Sequence, residues 1–158
     1  MNDPNPYRAP EAPVRDADAG PRRPTWLAIL AGLAADVGGT FIGSIVVTLV
    51  FGVMLASDGL SPAEVERQLA ESGPFQVFSL LFGLSFTVLG GYVAARVANH
   101  RELWHGMALG IASLVFGEVY IALFDLDIPF WQRLASWVAM IPAGIWGASI
   151  YRKRKRQS

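Results

Sequence analysis

Residues 26–56 read WLAILAGLAADVGGTFIGSIVVTLVFGVMLA, thirty-one residues with one charge, Asp36. A helix rises 1.5 Å per residue, so about 20 apolar residues cross a hydrocarbon core of about 30 Å. This stretch exceeds the requirement, so it tilts or projects into the headgroup zone. The bilayer core holds no water, so every backbone N–H and C=O must be paired, and an α-helix pairs its own. The period-2 alternation of a membrane barrel is absent.

Three more stretches of this kind follow. Residues 75–98 end with Arg96, residues 104–124 carry His105 and Glu118, and residues 131–150 carry Arg133 near their start. Pro142 removes one backbone bond in the last of them and is expected to kink it. The composition agrees with a polytopic membrane protein. Apolar residues make up 53% of the 158 and charged ones 16%, against about 25% charged in an average soluble domain. Cysteine is absent, which excludes disulfide frameworks, thiolate metal sites and cysteine nucleophiles.

The links between these stretches are short. Residues 57–74 contain Ser61-Pro62-Ala63-Glu64, a capping box with proline at the first helical position. Val65 and Leu69 then fall on one face of a short helix, which Gly73-Pro74 is expected to end. Residues 99–103 and 125–130 read as tight turns. Short links favour an up-down bundle. The expected fold is therefore an all-α membrane protein, an up-down four-transmembrane-helix bundle over residues 26–151 with a short periplasmic helix. Residues 1–25 hold six of the ten prolines and mixed charges. That composition predicts a disordered cytoplasmic tail. It does not read as a signal peptide, because the apolar run after it is far longer than an h-region. Residues 152–158 form a basic tail.

Charge sets the orientation. Eleven of the thirteen Lys and Arg lie in the N-terminal tail, at Arg96 and Arg101, or after Ile150; Arg67 and Arg133 lie on the other side. That bias puts both termini in the cytoplasm. Arg152, Lys153, Arg154, Lys155 and Arg156 would then attract anionic lipid. A span ends just before them and no aromatic interleaving follows, so nucleic acid is not expected.

Small residues recur at helical spacing in each span. Lipid tails are as apolar as leucine, so close backbone approach, rather than burial, must hold the helices together. Asp36, Gly39 and Gly43 share one face of span one, and Gly83, Thr87 and Gly90 one face of span two. Gly106, Gly110, Ser113 and Gly117 share one face of span three; Ser136, Ala139, Ala143 and Gly147 do so in span four. Gly39–Gly43 and Gly106–Gly110 are GxxxG pairs, suited to packing within the bundle or to homo-oligomerisation. Gly90-Gly91 suits close packing, or an interrupted helix lining a site.

The polar groups inside the spans are the candidate site. Asp36 lies about 15 Å along the axis from Trp26 and faces protein, within reach of Arg96 or of hydroxyls on a neighbour. Glu118 lies about 9 Å from the outer end of its span and can reach the surface or accept hydrogen bonds. Intramembrane carboxylates are costly and often mark ion or proton pathways, so Asp36 and Glu118 are also candidate stations of a relay. His100 and His105, five apart, do not share a helix face and have no ligand partners for a metal. They read as interfacial and solvent-contacting. No nucleophile elbow, zinc-protease pair or phosphate loop occurs. No catalytic residue, metal or cofactor is expected.

Two stretches carry a resemblance. Asn5-Pro6-Tyr7-Arg8-Ala9-Pro10 resembles the N-terminal tails of many proteobacterial membrane proteins. Gly90-Gly91-Tyr92-Val93-Ala94-Ala95-Arg96-Val97-Ala98, followed by His105-Gly106, is similar to the middle turn of small four-helix bacterial inner-membrane proteins. The resemblance implies a bacterial inner-membrane bundle and brings no activity with it. The sequence thus points to a non-enzymatic structural, accessory or interaction protein that binds other membrane proteins or itself. The alternative is a small oligomeric transporter or channel using Asp36 and Glu118.

Overall fold

The computed structural model describes residues 23–57 and 59–157. The expected tail, residues 1–25, therefore lies almost wholly outside the described residues. Five helices follow in order: α1 Thr25–Ser57, α2 Pro62–Glu71, α3 Gly73–Ala98, α4 Glu102–Phe124 and α5 Phe130–Lys155. No strand occurs among the described residues. All but α2 are long and apolar enough to cross a membrane. Their outer faces carry large apolar side chains such as Ile42, Val53, Leu123 and Val138, each more than 65% exposed. A water-soluble monomer rarely shows apolar surface on that scale; lipid covers it without cost.

Local chemistry sets the boundaries. At α2, the Ser61 N–H and Oγ–H both donate to Glu64 Oε2, at 2.9 and 2.6 Å. Val65 and Leu69 are buried. The Gly73-Pro74 pair does not merely end α2. Ser72 caps the next helix, its Oγ accepting from the Phe75 N–H at 3.4 Å, and Gly73-Pro74 forms the first turn of α3. Proline there lacks only an N–H that a helix start leaves unpaired anyway. Asn99 ends α3 at φ 55° and Asp125 ends α4 at φ 48°. Both residue types tolerate the left-handed region. α5 runs unbroken through Pro142 and on to Lys155, so residues 152–155 belong to a helix rather than to a separate tail. Lys and Arg are good helix formers, and cations suit a helix C-terminus.

α3 is central. It packs on α1, α4 and α5, whereas α1 and α5 do not touch. Gly32 of α1 meets Gly90 and Ala94, while Gly43 meets Phe82, so α1 and α3 run antiparallel. Gly106 meets Gly144 and Ala148, while Gly110 meets Met140 and Ile141, so α4 and α5 do likewise. The residues shielded most fully are small: Ala28, Ala94, Ala95, Ala98 and Ala148. Leu109 is the largest. It sits against Gly32 and Gly90 and fills the centre between α1, α3 and α4.

Two GxxxG pairs act differently. Gly39 and Gly43 leave room for the Phe86 and Phe82 rings of α3, which continue a ladder through Phe78 to Phe51 with centroids 5.1–6.2 Å apart. Gly106 and Gly110 instead lie against the backbone of α5. Gly91 also faces the Gly144 carbonyl, so α3, α4 and α5 meet backbone to backbone around Gly144. A side chain at any of these positions would force the helices apart.

Candidate functional site

Asp36 joins three helices. It is 4% exposed. Its Oδ1 accepts from Thr87 Oγ1 of α3 at 3.2 Å, and its Oδ2 from Ser113 Oγ of α4 at 2.5 Å. The spacing explains the meeting. Thr87 is three residues before Gly90, and Ser113 four residues after Leu109, so all face the α1 stripe. Interhelical hydrogen bonds of this kind contribute about 0.6 and at most about 1.7 kcal/mol each. Neither ion pair among the described residues includes Asp36. Arg96, the cation considered for it, is exposed and lines a hollow of about 500 Å³ with Arg23, Asn99 and Tyr151.

Beyond Asp36 a cleft opens. α1 and α4 supply its lining, joined by Met140 of α5. Its volume is about 460 Å³, with Asp36, Thr40, Phe41, Ser113, Phe116, Tyr120 and Met140 among its lining. Phe41, Phe116 and Tyr120 are exposed at its rim.

Glu118 is bonded elsewhere. It pairs with Arg133 Nη2 of α5, and its Oε1 accepts from Trp137 Nε1 at 2.7 Å. The Arg133 guanidinium also lies over the Trp137 ring, 5.8 Å from its centroid. About a third of each side chain in the pair stays exposed, so solvent screens it and the pair contributes at most about 1 kcal/mol. No hydrogen bond links this cluster to Asp36 among the described residues. The two carboxylates are bonded to separate partners.

No protein-family model, curated protein or solved structure matches this chain. The resemblance of the Gly90–Ala98 stretch therefore adds nothing to its chemistry, and the site stands on geometry.

The histidines differ from expectation. His105 is 1% exposed. Its Nδ1 lies 3.1 Å from the Arg101 carbonyl oxygen, which can only accept, and its Nε2 has no hydrogen-bond partner among the described residues. The His100 and His105 rings lie 5.0 Å apart, edge to face. His100 precedes α4, so helical spacing does not govern the pair. Among the described residues no three His, Asp or Glu side chains are placed to hold a metal. At the same end, Lys155 Nζ donates to the Asn99 carbonyl and to Glu102 Oε1, both at 3.0 Å. Tyr151 Oη donates to Asn99 Oδ1 at 3.2 Å.

Several of these roles were not drawn from the sequence. Thr87 and Ser113 read there as small residues, although both are also hydroxyl donors. Trp137 carried no signal. Glu118 and Arg133 did carry one: opposite charges near facing ends of consecutive spans.

Proposed function

We propose that this chain is a non-enzymatic structural, accessory or interaction protein of the inner membrane. It crosses four times in up-down order, with both termini in the cytoplasm. The observation that carries the reading is that both intramembrane carboxylates are bonded within the bundle, Asp36 to α3 and α4 and Glu118 to α5. Such bonds tie helices together. Leu109 supports the same reading, because it fills the centre where a single-copy pore would need a bore. The skewed distribution of Lys and Arg supports the orientation. In that orientation α2 lies on the periplasmic side, and the basic end of α5 meets anionic lipid headgroups. The partner is another membrane protein or a second copy.

One observation favours the second reading, a small oligomeric ion- or proton-coupled transporter or channel. Asp36 borders an open cleft. Glu118 weighs against it, since Arg133 and Trp137 hold its carboxylate.

Proteoliposome flux separates the two. Wild type and Asp36→Asn are reconstituted with a pH-sensitive dye inside, under imposed proton and potassium gradients. The expected result is no flux above protein-free vesicles, with the variant less resistant to unfolding. Flux in wild type that vanishes in a well-folded Asp36→Asn protein would overturn the proposal. A reporter fused after Ser158 tests orientation: alkaline phosphatase stays silent there, and an active one inverts the topology.

A further inference from the structure

We propose that the cleft between α1 and α4 is a binding site for a membrane-partitioned organic cation with apolar or aromatic substituents. The inference goes beyond the scaffold reading and holds for either orientation of the chain.

Charge comes first. A carboxylate offers about four lone-pair positions, and Thr87 and Ser113 occupy two of them. No Lys, Arg or His among the described residues pairs with Asp36. The site therefore has capacity for a positive ligand that the bundle itself does not supply.

Size and lining narrow the class. At about 460 Å³ the cleft falls within the roughly 300–1,000 Å³ that hold small organic ligands. Besides the side-chain oxygens of Asp36, Thr40, Ser44, Ser113 and Tyr120, the lining is apolar and aromatic. Phe116 and Tyr120 lie nearly parallel, 6.4 Å apart along α4, and Phe41 of α1 lines the same cleft. Ring faces attract a cation within about 6 Å. Every lining residue belongs to a helix long and apolar enough to cross a membrane, which suits a ligand that partitions into lipid.

Gly117 provides the test. It lines the cleft, and a Cβ at this position meets no atom within 4 Å. Gly117→Leu thus adds bulk to the cleft from a position where the first side-chain carbon meets no described atom. The full chain is placed in nanodiscs and titrated with radiolabelled tetraphenylphosphonium and with neutral triphenylphosphine oxide. Wild type should bind one phosphonium ion per chain, saturably, and the neutral compound at least about tenfold more weakly. Gly117→Leu and Asp36→Asn should each weaken phosphonium binding at least about tenfold, with Gly117→Leu unfolding at the wild-type detergent concentration. Three results would each overturn the proposal. These are no saturable binding by wild type, equal affinity for the neutral compound, and binding unchanged in Gly117→Leu.

Discussion

Replacing Gly90 by alanine puts a methyl carbon 2.7 Å from the Gly32 carbonyl oxygen and 2.9 Å from both Asp36 Cβ and Leu109 Cδ2. The first two neighbours are backbone and near-backbone atoms of α1, so no rotamer change relieves them. Ordinary contact begins at 3.4 Å, and α1 must retreat from α3 by about 0.7 Å to restore it. Thr87 sits one turn away, with its bond to Asp36 at 3.2 Å. The same retreat stretches that bond to about 3.9 Å, past bonding distance. Overpacking costs about 1–3 kcal/mol, and the lost interhelical bond adds about 0.6. The helix-propensity gain of alanine over glycine offsets up to about 1 kcal/mol. The net loss is about 2 kcal/mol, a factor of about 30 in the folded-to-unfolded ratio. Reversible unfolding in mixed micelles of rising dodecyl sulfate content reads this directly. Gly83→Ala is the control, because a Cβ there meets nothing within 4 Å. It should match or exceed wild type. Equal stability of Gly90→Ala and Gly83→Ala would show that α1 and α3 are not in backbone contact and would refute the packing account.

Other outcomes follow from the same geometry. Asp36→Leu should cost about 1–2 kcal/mol in that assay and Asp36→Asn about half as much, because Asn still pairs with a hydroxyl and Thr87 keeps the Gly83 carbonyl at 3.4 Å. A double-mutant cycle on Glu118→Gln and Arg133→Gln should give a coupling under about 1 kcal/mol, and a larger value would mean a drier pair than the exposure indicates. At α2, the Ser61 hydroxyl and N–H hold the Glu64 carboxyl below the usual carboxylate range. A lowered folded pKa stabilises the helix start above the unfolded value of about 4.3, and this support is lost as pH falls through the lower folded pKa. Amide exchange of α2 should therefore slow less on acidification through that window than base catalysis alone predicts, and Ser61→Ala should remove the difference. Lys155→Met should speed exchange at the α3–α4 turn, where Lys155 now bonds Asn99 and Glu102; an unchanged rate would mean the turn is held without it.

The spans were legible because an apolar run of 20 or more residues has few other uses. Their helix bounds lie within two residues of the apolar stretches at every end except the last. Residues 152–155 broke the pattern because their charge marks them as soluble, while their helix propensity is high. The small-residue stripes were also legible, but not what each would face. Gly39 and Gly43 admit Phe86 and Phe82, whereas Gly106 admits backbone. Gly144 was missed since the stripe drawn through Ala143 and Gly147 passes one residue to its side. The junction at Gly144 depends on the relative rotation of three helices, which no single-helix periodicity fixes. The partners of Asp36 were hidden for a related reason. Thr87 and Ser113 are 51 and 77 residues away in sequence, and hydroxyls occur in every span. The resemblance added no chemistry to these readings.

α5 runs without interruption from Phe130 to Lys155 and is gripped at mid-length, where Gly144 lies against Gly91 and Gly106. One helix thus joins the basic end to the far arm, where Arg133 and Trp137 meet Glu118, and Pro142, the one position between them without a backbone donor, is where that rod yields first.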